Sequence, residues 1–126
     1  MIRILIVDDE PSVRFLYEEI IKLLGYEMAG AASNGDEAIT MFKAFSKKPD
    51  IILMDHRMPK KNGIETTKEI LQLNKQAKII FTSADLSVKE EALSLGAISF
   101  KEKPFTINNL KNNIIKALNK HIKIKV

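Results

Sequence analysis

The sequence predicts a doubly wound α/β domain, and three observations lead there. Short apolar runs rich in β-branched residues alternate five times with segments of helical period. The apolar runs are continuous instead of alternating with polar residues, as in strands buried on both faces. Acidic, hydroxyl and basic residues stand at their carboxyl ends. Strands of this kind need helices over both sides of a mostly parallel sheet, joined by right-handed crossovers.

Residues 2–7 form the first strand. The period then changes, with Val13, Leu16, Tyr17, Ile20, Ile21 and Leu24 recurring at helical spacing. Pro11 suits the first helical turn, where its missing N–H would have no partner, and Gly25 can take the left-handed conformation that ends a helix. Residues 26–32 are the second strand, and 36–45 a helix burying Ala38, Ile39, Phe42 and Phe45. Residues 51–54 are the third strand, 66–73 a third helix and 78–82 a fourth strand. Ser87 with Glu90 has the spacing of a capping box that opens the fourth helix, and Gly96 closes it. A last short strand is expected at 97–100. Thr106 caps the terminal helix, which places Leu110, Ile114, Ile115 and Leu118 on one face.

A chain of 126 residues fits one domain with a real core. We read residues 1–122 as that domain and 123–126 as a basic tail. The 45% hydrophobic and 29% charged balance is that of an ordinary folded protein. Without cysteine there is no disulfide, thiolate nucleophile or Cys-based metal site, which is compatible with a cytoplasmic setting. No apolar run reaches the ~18 residues of a membrane span, so no membrane association is expected. The net charge of +4 invites a nucleic-acid reading. Its lysines are nevertheless scattered, with few aromatics between them to stack bases, so solvated helix faces explain them better.

In doubly wound sheets, ligands collect outside the carboxyl ends of the strands. There the sequence places Asp8 and Asp9 after the first strand, Asp55 after the third, Thr82 and Ser83 at the fourth, and Lys103 after the fifth. Three carboxylates at one edge repel one another, and a hard divalent cation with oxygen ligands relieves the repulsion. Mg²⁺ fits best, because it shares its coordination with phosphate oxygens and so assists phosphoryl transfer. One carboxylate then serves as nucleophile and forms an aspartyl phosphate.

With these residues the chain resembles the receiver domain of two-component response regulators, of the stand-alone chemotaxis type. The pieces are Asp8-Asp9, Asp55 followed by Met58-Pro59 and Gly63, Ser83-Ala84, Gly96-Ala97 with Phe100, and Lys103-Pro104. The resemblance implies a flavodoxin-like sheet of order 2-1-3-4-5 with five helices. It makes Asp55 the phosphoacceptor and gives Mg²⁺ to Asp8, Asp9, Asp55 and the main-chain carbonyl of Arg57. Phosphoryl contacts are implied for the Ser83 hydroxyl, the Ala84 main-chain N–H and Lys103. Ser83 and Phe100 form the implied switch, in which the ring turns inward as the hydroxyl moves and alters the face of the last strand and last two helices. The implied partners are a sensor histidine kinase as phosphodonor and a downstream protein target. The implied state is a monomer or weak dimer with no enzymatic activity beyond its own phosphorylation and slow dephosphorylation.

Two positions vary within such domains, and here they are Arg57 and Asp85, which flank the same pocket; pairing between them would shield the acyl phosphate from water. His56 is read as a solvent-facing neighbour. Phe100 replaces a tyrosine common in the family, which removes a hydroxyl from the switch face. A haloacid-dehalogenase-like phosphatase would need paired Asp residues two apart after the first strand, and Asp8-Asp9-Glu10 lacks that spacing. A flavodoxin-like redox module would need a phosphate-cradling loop there, where this chain is acidic. The remaining alternatives are a phosphorylation-independent interaction module and a receiver section of a longer transcriptional regulator; the start of the chain favours a complete protein.

Overall fold

The computed structural model describes the backbone of residues 1–125 and the side chains of residues 1–119. Five strands, β1 (Arg3–Val7), β2 (Glu27–Ala32), β3 (Ile51–Asp55), β4 (Ile79–Ser83) and β5 (Ser99–Glu102), alternate with five helices. The helices are α1 (Pro11–Leu23), α2 (Gly35–Ala44), α3 (Gly63–Leu73), α4 (Lys89–Leu95) and α5 (Ile107–Lys125). All neighbouring strands are parallel, in the order β2-β1-β3-β4-β5. The basic tail expected at 123–126, like His121, lies outside the described side chains.

Strand pleat divides the core into two layers. Leu5, Val7, Ile52, Met54, Ile79 and Phe81 point to one face, under Ala38, Ile39 and Phe42 of α2, Ile70 of α3 and Ala92 of α4. Ile4, Ile6, Ile51, Leu53 and Ile80 point to the other, against Tyr17, Ile20 and Ile21 of α1 and Leu110, Ile114 and Ala117 of α5. Continuous apolar strands thus read correctly as a sheet covered on both sides.

Local signals held where the chemistry was unambiguous. Pro11 opens α1, and Gly25 and Gly96 take positive φ after α1 and α4. The Thr106 hydroxyl oxygen accepts from the Asn109 N–H at 3.0 Å. Elsewhere the structure corrects the reading. The Ser87/Glu90 capping box does not form: Asp85 accepts from the Ser87 N–H at 2.9 Å, a 3-10 turn spans Leu86–Val88, and α4 begins only at Lys89. An aspartate two residues upstream outcompetes Ser87 as the cap because its carboxylate is the stronger acceptor.

Helix α3 starts at Gly63, three residues earlier than the apolar period indicates, through a capping box of Asn62 and Glu65. Strand β5 lies two residues later than expected. Phe45 is the residue after α2, half-buried, with the Arg3 guanidinium 5.4 Å from its ring centre. Leu16 and Ile115 sit at the margins of their apolar stripes and are exposed.

Candidate phosphoacceptor and metal site

Parallel strands of matched length bring their carboxyl ends to one edge, and the loops leaving that edge form an open pocket lined by Asp9, Asp55, Arg57, Ser83, Ala84, Asp85 and Lys103. Asp8, directly after β1, is buried, and its main-chain N–H donates to the Ala32 carbonyl of β2 at 3.1 Å. Its Oδ1 accepts from the Glu10 N–H at 3.0 Å, and its Oδ2 accepts from the Lys103 ammonium at 2.9 Å. Asp55 closes β3 and is 8% exposed. Asp9 stands exposed beside them, and one carboxylate oxygen from each of the three aspartates lies within 4.8 Å of the others. An all-oxygen donor set with two buried members and one open member fits a hard cation that keeps water or phosphate ligands.

Lys103 follows β5, held by its N–H to the Ser83 carbonyl at 2.9 Å, and the Lys103–Pro104 peptide is cis. Its Nζ bridges Asp8 and Asp55 at 2.9 and 3.2 Å, so the ammonium serves both acids and not Asp55 alone. Burial works against its charge, but Tyr17, Asp8 and Asp55 outweigh burial and raise its pKa above the ordinary lysine range. Burial is also the main reason that the Asp55 carboxyl is pushed up to about 6, with Asp8 adding to it and Lys103 opposing it.

That shift has a consequence for stability. The folded protein holds the Asp55 proton more tightly than the unfolded chain, so the stabilisation is complete below pH 3.8 and is lost as pH rises through about 6. The difference is about 3 kcal/mol at most. In chelator, the contribution of Asp55 to the urea midpoint, taken as wild type minus Asp55→Asn, is expected to fall between pH 4 and pH 7. Parallel profiles for the two proteins would refute the shift.

Ser83 is buried at the end of β4, and its Oγ accepts from the Asp85 N–H at 3.0 Å. The Phe100 ring is half-buried and stacks on Phe81 with centroids 5.9 Å apart. Arg57 and Asp85 do approach, at 3.9 Å, but Arg57 is largely exposed and Asp85 mainly caps its own turn, accepting from Ser87 Oγ at 2.5 Å. Those two bonds from Ser87, hydroxyl first, hold the Asp85 carboxyl below the usual range, with Arg57 a lesser cause.

His56 corrects the reading of a solvent-facing neighbour: its ring tilts onto Phe81 at 5.8 Å, and its Nδ1 is buried without a hydrogen-bond partner among the described residues. Tyr17 is the residue that sequence reasoning missed at the site. Its helical spacing marked it only as core, yet its side chain reaches the site edge.

Fold and site together define a doubly wound domain with an acidic, lysine-bridged pocket at its strand ends, as signalling receiver domains have. A family model described as the response regulator receiver domain matches residues 4–115, and the chain belongs to that family. The chemotaxis protein CheY of Thermotoga maritima is 43% identical over 120 residues, covering 94% of this chain and 95% of that protein. The solved response regulator TrrA of T. maritima, in complex with Mg²⁺ and BeF, superposes with a TM-score of 0.84 at 38% identity, over 94% of this chain and all of that one. CheY of Borrelia burgdorferi, solved with CheX, BeF₃ and Mg²⁺, gives 0.86 at 27% identity over 93% of this chain and 88% of the other. The chain is therefore a receiver domain of two-component signalling. Such domains are signalling modules that bind Mg²⁺ at an acidic pocket and pair with histidine kinases and downstream targets. Among the described residues no helix is long and apolar enough to cross a membrane.

Proposed function

We propose that Asp55 accepts a phosphoryl group from the phosphohistidine of a sensor kinase in the cytoplasm and that the chain acts on a downstream protein through the resulting change of shape. The observation that carries this reading is the Lys103 ammonium held between two buried carboxylates, 2.9 Å from an Asp8 oxygen and 3.2 Å from an Asp55 oxygen. An Asp55 carboxylate oxygen attacks phosphorus and forms the O–P bond. The P–N bond to the donor imidazole breaks, and its electron pair leaves with the nitrogen.

Lys103 then shifts from the carboxylate to the phosphoryl oxygens, with the Ser83 hydroxyl and the Ala84 N–H as further donors. Asp8, Asp9, Asp55 and the main-chain carbonyl of Arg57 would hold Mg²⁺, which supplies positive charge against the phosphoryl oxygens. Hydrolysis reverses the state: water attacks phosphorus, the O–P bond breaks, and phosphate leaves with the carboxylate restored. No other reaction is assigned to the chain.

For the switch, the Ser83 hydroxyl, which accepts from the Asp85 N–H, turns its own proton toward a phosphoryl oxygen, and Phe100 turns from its half-buried position into the space released. Local electrostatics then bias a packed element with two arrangements, altering the α4, β5 and α5 face that a target reads. A phosphoryl group shifts the balance only by its unequal interactions with the two states, so basal activity is low and not zero.

The test is intact mass after treatment with acetyl phosphate, with and without Mg²⁺. One phosphoryl adduct that depends on the metal is expected; no adduct under either condition refutes the reading. The Arg57–Asp85 pair is proposed to shield the acyl phosphate. At 3.9 Å and with Arg57 largely exposed, it should matter little, so Asp85→Ala is expected to shorten the phosphoryl half-life by only about two- to threefold. An unchanged half-life would remove the shielding role.

A further inference from the structure

Arg14, in the first turn of α1, reaches back to the loop that follows β1 and donates from its guanidinium to the Asp8 carbonyl at 2.7 Å. The loop is otherwise held by short-range bonds: Asp8 Oδ1 accepts from the Glu10 N–H at 3.0 Å, and the Glu10 carbonyl accepts from the Val13 and Arg14 N–H groups at 3.1 and 3.0 Å. Arg14 is half-buried, and among the described residues its guanidinium forms no ion pair, although Asp9, Glu10 and Glu18 are close to it in sequence. Glu18 is taken by Lys22 at 3.4 Å. The cation is therefore spent on a main-chain carbonyl.

That carbonyl belongs to the peptide joining Asp8 to Asp9. The Asp8 carboxylate is fixed by its own bonds, from the Glu10 N–H and from Lys103. Asp9 is exposed, and among the described residues no hydrogen bond or ion pair holds its carboxylate. The direction of the Asp9 side chain comes from its main chain instead. A planar peptide turns only about the single bonds on either side of it, so a bond to its carbonyl restrains both rotations and the Cα–Cβ bond that follows.

Resting on the reading of Asp8, Asp9 and Asp55 as the Mg²⁺ ligands, we propose that Arg14 is a positioning residue for the metal site. Its guanidinium fixes the peptide between two of the ligands and so keeps the Asp9 carboxylate where the three acids converge. The charge of Arg14 acts in the opposite direction, because a cation beside a cation site repels the ion. Position and charge thus make predictions of opposite sign. If Arg14 acted through charge alone, or merely satisfied a buried carbonyl, its removal would tighten Mg²⁺ binding or leave it unchanged.

The test is calorimetric titration of Mg²⁺ into unphosphorylated wild type, Arg14→Met and Asp9→Asn, with circular dichroism to check folding. Arg14→Met keeps an apolar stem and loses both donor and charge. It is expected to raise the Mg²⁺ dissociation constant about three- to tenfold, less than for a group bonded directly to a ligand side chain, because lost repulsion offsets part of the effect. In phosphorylation by acetyl phosphate, the half-saturating Mg²⁺ concentration is expected to rise by the same factor, with the rate at excess Mg²⁺ within about twofold of wild type.

An Arg14→Met dissociation constant within about twofold of wild type, or a lower one, overturns the proposal, and so does a defect confined to the rate at excess Mg²⁺. Should Arg14→Met fail to fold, Arg14→Gln, whose shorter side chain does not span the same distance, decides by the same criteria. Wild type that binds Mg²⁺ with Asp9→Asn clearly weaker keeps the ligand reading intact whatever the Arg14 variants do. Wild type that binds none, or Asp9→Asn that binds equally well, removes both.

Discussion

Asp55→Asn is expected to abolish phosphoryl adduct formation, with a rate at least about 10³-fold below wild type, because the amide is not a nucleophile and no other group can replace it. The neighbouring acids do not compensate. Asp8 has both oxygens engaged, by the Glu10 N–H and by Lys103, and points away from open solvent at 1% exposure. Asp9 is exposed but lacks the lysine contact that would stabilise a phosphoryl group on it. The substitution keeps shape and volume, so loss of the adduct comes with a folded protein, which circular dichroism checks. An adduct on the variant at the wild-type rate would move the acceptor elsewhere, and peptide mapping would locate it.

The same substitution removes a negative charge that burial makes costly at neutral pH. It leaves Lys103 with Asp8 as its remaining carboxylate partner, at 2.9 Å. Site and stability are therefore in tension. On the proposed reading, the acid that burial destabilises is the one whose charge the phosphoryl transfer requires, as is common at sites tuned for reaction.

Most of the site was legible because its residues are placed by strand ends. Once residues 2–7, 51–54 and 78–82 were recognised as strands, Asp8, Asp55 and Ser83 had to share an edge, and the structure brings them there with Lys103. Fold class followed from the continuous apolar runs, whereas strand order came only through family resemblance, since periodicity carries no information about neighbours.

What sequence reasoning missed depends on side-chain competition across the fold. Asp85 takes the cap from Ser87 because it is the stronger acceptor and closer to the turn. The Asn62–Glu65 capping box was overlooked because the apolar period of α3 becomes visible only after it. Tyr17 and His56 could not be assigned, since helical or strand spacing tells which face a residue takes and not which polar atom it meets there. The Arg57–Asp85 approach was anticipated from their flanking positions, but their distance and exposure make it a weak contact.

Gly63→Ala is expected to cost about 3 kcal/mol of stability and to slow phosphorylation as well, because the space for a side chain is already taken by backbone. A Cβ at position 63 would stand 2.2 Å from the Asp55 carbonyl oxygen, 2.8 Å from the His56 Cα and 2.9 Å from the Phe81 ring. Two of these atoms are main chain, at the end of β3, so no rotamer change relieves the contact. The Gly63 N–H also donates to the His56 carbonyl at 2.9 Å, which draws the start of α3 directly beneath Asp55. Gly63 is therefore required for close approach and not for an unusual φ, in contrast to Gly25 and Gly96. Alanine gains helix propensity of at most about 1 kcal/mol, less than the overlap costs. To relieve the overlap, either α3 must move off the sheet or Asp55 must shift relative to Lys103. A lower urea midpoint with a slower adduct rate, both relative to wild type, is the expected result. Wild-type stability would mean that α3 can slide without cost and that its start does not fix the position of Asp55.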